Sequence, residues 1–157
     1  IAEWFPPARV QAAADRYRAL YPEHAVERAL LLPGALEAVR AVRECGGRVA
    51  VITGKHEPNA RLHLTAAGLD ADVLVGDLWA ETKGAALREH GAAVYVGDHL
   101  GDIAGARAAD AVAVGVATGP YGAAELAEAG ADVVLDDLTG FPAWLAGYLA
   151  SATAAGA

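Results

Sequence analysis

The stretch Val94-Tyr95-Val96-Gly97-Asp98-His99-Leu100-Gly101-Asp102-Ile103-Ala104-Gly105-Ala106-Arg107 constrains this chain more than any other. Val94 to Val96 predicts a short buried strand, Gly97 allows the backbone to turn sharply, and the small residues that follow predict a helix. Asp98 falls at the carboxyl end of the strand and Asp102 in the first turn of the helix. That spacing aims both carboxylates at one point above the sheet edge. A hard divalent cation such as Mg²⁺ takes oxygen ligands of this kind, and without one the two acids would repel. The plain alternative is an ordinary strand–helix loop, with Asp98 in the turn and Asp102 as a cap.

The rest of the chain repeats this unit. Arg48 to Ile52, Asp72 to Val75, Ala111 to Val116 and Asp132 to Leu135 read as further short apolar strands. Helical patterns lie between them, stopped at Gly46-Gly47, Gly68, Gly91 and Gly130. Five apolar strands alternating with helices predict an α/β fold, a Rossmann-like, doubly wound parallel sheet with flanking helices and right-handed crossovers. Ligands then bind beyond the carboxyl ends of the strands, where Thr53, Asp98 and Thr118 fall. Before Pro33-Gly34 the pattern is helical only: Val10, Ala14, Tyr17 and Tyr21 share a face, Pro22 ends that helix, and Glu23 to Leu32 forms a second short piece. Phe141, Leu145, Tyr148 and Leu149 mark a terminal amphipathic helix followed by a small-residue tail.

Composition narrows the function classes. A chain of 157 residues with 55% hydrophobic residues can bury a core as a single domain. The net charge of −8 disfavours nucleic acid and anionic membranes as partners. The single cysteine, Cys45, excludes an internal disulfide and is expected to be a buried thiol. With no membrane span or secretory leader in the sequence, a cytoplasmic location is expected. The chain starts at Ile1 and contains no methionine, which points to residues upstream.

Four features occur in order: a strand ending in Thr53-Gly54, Lys83 opening a helix, a strand ending in Gly97-Asp98, and Asp102. This set resembles the haloacid dehalogenase-like hydrolases, most closely their phosphoglycolate-phosphatase-like branch, over nearly the whole chain. Val49 to Lys55 resembles the second motif of that family. Lys83 matches the third, with Lys83-Gly84 in place of the commoner lysine–proline. Gly97 to Asp102 matches the fourth. Residues 1–32 resemble the last part of a helical cap and residues 33–157 the α/β core. The resemblance implies an Mg²⁺-dependent phosphatase acting on a small phosphorylated, phosphoglycolate-like metabolite. Thr53 and Gly54 would bind phosphate, with Thr53 donating its hydroxyl and backbone N–H. Lys83 would bind phosphate and neutralise charge during catalysis, Asp98 would hold the metal, and Asp102 would be a second or outer ligand.

The family's nucleophile, in an Asp-x-Asp-x-Thr motif after its first strand, is expected upstream of Ile1. Asp70-Ala71-Asp72 lacks the threonine and precedes a strand. Val133 to Thr139 carries Leu138 where the second acid should be, and reads instead as the final strand and a turn. The nucleophile strand belongs between the Thr53 and Asp98 strands, so these two should face each other across an unfilled slot. The 157 residues alone are expected to be inactive. A catalytically inactive phosphate- or metal-binding module, or an interaction domain, is the alternative. A phosphoacceptor domain fits less well, because helices precede Pro33 and Asp98 comes late. Dehalogenation fits less well because it generally needs no metal. Of the remaining residues, His99 and His56 are candidates to meet ligand, and Trp79 is expected to pack. His24, His63 and His90 are expected at the surface.

Overall fold

The computed structural model describes residues 3–155. Helix α1 (Pro7–Tyr21) begins with proline in its first turn, where a missing N–H is harmless. Pro22 does not stop the chain turning; Pro22–Val26 continues it as one wider helical turn. The remainder of the expected second piece is irregular, and Leu30, Leu31 and Leu32 are exposed. There follow α2 (Ala35–Glu44), β1 (Ala50–Ile52), α3 (Glu57–Ala67), β2 (Val73–Val75), α4 (Glu81–Glu89), β3 (Val94–Gly97), α5 (Leu100–Ala108), β4 (Val112–Val116), α6 (Ala123–Glu128), β5 (Val133–Leu135) and α7 (Phe141–Ala155). The expected small-residue tail is helical as far as Ala155. The Ser151 and Thr153 hydroxyls donate to the carbonyls of Gly147 and Leu149 one turn back. Among the described residues, no helix is long and apolar enough to cross a membrane.

All strand pairs are parallel, as the alternating pattern predicts, but the ladder is divided. β1 pairs with β2 in one sheet, and β3–β4–β5 form another. The division falls between β1 and β3, where the sequence places the slot. The odd residues of β1 are committed to β2: the Thr53 N–H donates to Val75 O, and the Asp72 and Val73 amides donate to Val49 O. The polar backbone of Ala50 and Ile52 therefore faces β3. There the Tyr95 hydroxyl donates to the Ile52 carbonyl at 2.7 Å.

Side-chain alternation along β3 serves both layers. Tyr95 packs with Ile52, Ala86 and Leu87 on one side of the division and with Ile103, Ala106 and Leu126 on the other. Val96 faces the opposite layer, formed by α2 and α7 around Ala38, Phe141 and Leu145. Leu87, Ile103 and Leu126 are fully buried. Gly34, at φ 82°, brings the start of α2 so close to the Leu138–Thr139 backbone that a Cβ would overlap it.

Helices α4 and α5 meet on small residues. A Cβ on Gly84 would stand 2.9 Å from the Ala108 Cβ and 3.1 Å from the Gly105 carbonyl oxygen. Glycine at position 84 is what allows this close crossing. Cys45 is exposed rather than buried, because α2 ends one residue earlier; its thiol donates to Val42 O. At the other end of β1, the Asp72 carboxylate accepts from the Val49 amide at 2.7 Å and from Arg43 at 2.5 Å. Those two contacts, the amide first, hold its pKa below the usual carboxylate range.

Two outcomes follow from this packing. Gly84→Ala overpacks the α4–α5 crossing and is expected to lower unfolding free energy by about 1–3 kcal/mol in urea titration. The Asp72 contribution is present above its unperturbed value of 3.8 and is lost as pH falls through the depressed folded value. Asp72→Asn is therefore expected to lower the urea midpoint at neutral pH, with the difference from the parent chain closing in acid below that value.

Candidate active site

The carboxyl ends of β1 and β3, together with the start of α4, bring the sequence candidates to one edge of the fold. Thr53 follows β1 directly. Its N–H is spent on Val75 and its carbonyl accepts from Leu78 N–H, so the expected backbone donation to phosphate is not available. Its hydroxyl oxygen accepts from Lys55 N–H at 3.1 Å, which leaves the hydroxyl proton to donate outward. Gly54 lies beneath the loop after β2: a Cβ there would be 3.2 Å from Leu78 O and from two ring carbons of Trp79.

Lys83 and Asp102 form an ion pair at 2.5 Å, with side-chain exposures of only 13% and 8%. The α4–α5 contact puts them there, since Gly105 lies against the Lys83 Cβ. Asp102 is engaged on both oxygens. Oδ1 receives Lys83 Nζ and lies 3.2 Å from the Tyr95 hydroxyl; Oδ2 accepts from His99 N–H at 3.2 Å. The Tyr95 hydroxyl has a single proton, and the shorter contact directs it to Ile52 O. Burial first, then the neighbouring Asp102 carboxylate, pushes the Tyr95 pKa far above that of an ordinary phenol, so it stays a donor. Gly97 is required here, because any Cβ would overlap the Asp102 side chain.

Asp98 differs from Asp102. It is exposed, and it lies so close to Gly119, in the loop after β4, that a Cβ on that glycine would overlap its carboxyl group. Among the described residues no group of three metal-ligating side chains converges. The donor chemistry nevertheless fits Mg²⁺, which is commonly held by one or two carboxylates with substrate oxygens and water completing its shell. Asp98 would supply such a carboxylate, whereas Asp102 already accepts from Lys83. His99 is the N-cap of α5: its Nδ1 accepts from Gly101 N–H at 3.0 Å, and its ring meets Tyr121 edge-on at 4.9 Å.

Other candidates lie apart or change role. His56 stands at the N-cap position of α3 without a side-chain capping bond, and its Nδ1 lies 3.8 Å from Asp77 Oδ2, beyond hydrogen-bonding distance. His63, expected at the surface, is half-buried: its Nε2 is 2.9 Å from the hydroxyl of buried Tyr21, which also accepts from Lys55 Nζ at 2.7 Å. Desolvation first, then Lys55, lowers the His63 pKa. In the sequence Tyr95 and Tyr21 look like apolar periodic residues; only their hydroxyl partners reveal a polar role. The Val133–Thr139 stretch is a strand and turn as expected, with Asp137 capping through Thr139 N–H.

Comparison with known proteins identifies the family and the fold. The family model of the haloacid dehalogenase-like hydrolases matches residues 1–107. A phosphoglycolate phosphatase from Rhodospirillum rubrum is 35% identical over 148 residues, covering 86% of this chain. The chain spans 61% of that relative's length. Among solved structures, a haloacid dehalogenase-like hydrolase from Streptococcus pneumoniae superposes with a TM-score of 0.71 at 19% identity, over 94% of this chain and 73% of the other. A hydrolase of the same family from Deinococcus radiodurans gives 0.66 at 24% identity, over 94% of this chain and 69% of the other.

The buried ion pair yields a direct test. Lys83→Met strands the Asp102 carboxylate in the interior and is expected to cost about 3–5 kcal/mol of stability. Lys83→Arg retains the charge and should cost less. Urea unfolding of both variants checks the difference.

Proposed function

The chain belongs to the haloacid dehalogenase-like hydrolases, and on that premise we propose that it carries the phosphate-handling part of an Mg²⁺-dependent phosphatase for a small phosphorylated metabolite. The observation that carries this reading is the buried Lys83–Asp102 pair beside the strand end that bears Asp98. Phosphoryl transfer asks a protein chiefly for positioning and charge stabilisation. Lys83, fixed by Asp102, supplies a positive charge that needs little reorganisation. The Thr53 hydroxyl donates to a phosphoryl oxygen. Asp98 would hold Mg²⁺, with Asp102 acting through Lys83 rather than as a direct ligand. When bound, the cation offsets repulsion between the anionic substrate and an anionic nucleophile.

The nucleophile in this reading is an aspartate on a strand between β1 and β3, contributed by sequence upstream of Ile1. Its carboxylate oxygen attacks phosphorus, the bond from phosphorus to the ester oxygen breaks, and a second acid protonates the departing alkoxide. Water then hydrolyses the aspartyl-phosphate, releasing phosphate. The division of the sheet at this place supports the reading. The one-cysteine composition fits a reducing, cytoplasmic setting.

The test compares the 157-residue chain with the protein extended upstream, using p-nitrophenyl phosphate with Mg²⁺. The extended protein is expected to turn over and the 157-residue chain is not. In the extended protein, Asp98→Ala is expected to reduce kcat/KM by about 100-fold or more. Turnover by the short chain would refute the upstream nucleophile, and full activity of Asp98→Ala would refute the metal role.

A further inference from the structure

Residues 76–80 join β2 to α4 and run along the rim of the proposed site. Their backbone is held in an uncommon shape: Asp77 and Ala80 have φ values of 58° and 39° without being glycine. The loop is pinned at both ends. Leu78 N–H donates to Thr53 O and Asp77 N–H to Lys55 O, each at 3.0 Å. The Thr82 hydroxyl accepts from Trp79 N–H at 2.9 Å and donates to Trp79 O at 2.7 Å. Leu78 turns inward onto the cluster of Ile52, Ala86 and Leu87. Trp79, expected from the sequence to pack, turns outward and is 72% exposed.

Its six-membered ring lies along Gly54, so the indole stands beside the Thr53 hydroxyl loop on a fixed support. A large aromatic surface left in water on a pinned loop is poised to cover a ligand. The two lysines that flank this rim are both engaged, Lys55 with the Tyr21 hydroxyl and Lys83 with Asp102. The rim therefore presents the flat face of the indole next to the phosphate position, with the exposed Asp77 carboxylate two residues away; an acid there disfavours an anionic organic group.

We infer that Trp79 determines substrate specificity by packing its indole against the organic group of the phosphomonoester, and that this group is planar and uncharged, as in an aryl phosphate. The inference rests on the phosphatase site proposed above. It is tested without turnover by calorimetric binding of phenylphosphonate and methylphosphonate in the presence of Mg²⁺, using the extended protein. Phenylphosphonate is expected to bind about tenfold more tightly. The ratio should collapse in Trp79→Ala and recover in Trp79→Phe. A ratio near one in the parent protein, a ratio unchanged in Trp79→Ala, or equal weakening of both ligands would overturn the inference. Hydrolysis separates the two readings: turnover of phosphate esters with no phenyl preference in binding defeats the Trp79 role alone. A phenyl preference that depends on Trp79 in a protein with no turnover defeats the phosphatase reading alone.

Discussion

The salt bridge between Lys83 and Asp102 is the contact on which the candidate site depends. Two buried charges survive only when well paired, because desolvation is costly and the loss of one partner strands the other. Here the pairing is supplied by packing: Gly84 and Gly105 let α4 and α5 approach until the two side chains meet. The Lys83 charge is consequently fixed at the sheet edge before any ligand arrives. Asp102, which the spacing marks as a possible metal ligand, acts as the counter-charge that fixes it, through contacts that also cap α5.

The same carboxylate reaches the second organising feature, the division of the sheet. Tyr95 lies 3.2 Å from Asp102 and bonds the Ile52 carbonyl, so one side chain touches the site and spans the two halves of the fold. Its ring belongs to the core on both sides. Buried backbone groups need partners, and the Ile52 carbonyl finds one in a side chain where a neighbouring strand would ordinarily supply it. Thr53 at the end of β1 and Asp98 beyond β3 flank this division. A strand seated there would end between a hydroxyl donor, a fixed cation and an exposed carboxylate.

Much of this was legible in the sequence because it depends on local patterning. Apolar triplets bounded by glycine gave the five strands within a residue or two, and alternation with helices gave the parallel arrangement. The order of Thr53, Lys83, Asp98 and Asp102 pointed to the family. What was not legible depends on contacts between distant residues. Nothing near Asp102 says that its oxygens are spent on Lys83 and the His99 amide. Nothing near Thr53 says that its N–H belongs to the ladder with Val75. Cys45 is exposed, against the expectation from its apolar neighbours, because a one-residue difference in the end of α2 carries it past the apolar face. Pro22 does not end the winding, because proline at the first position of a new turn is compatible with it. Trp79 is exposed because the loop is pinned so that Leu78 takes the interior place, which hydrophobicity alone does not reveal.

The most direct measurement of the central claim, that these residues form one phosphate-handling site, is an amide-resolved NMR titration of the 157-residue chain with inorganic phosphate and Mg²⁺. Shifts centred on Thr53, Gly54, Lys83 and Asp98, with β5 unaffected, are the expected result. Saturating additions that leave those four amides unmoved, or that perturb a different face of the molecule, would contradict it.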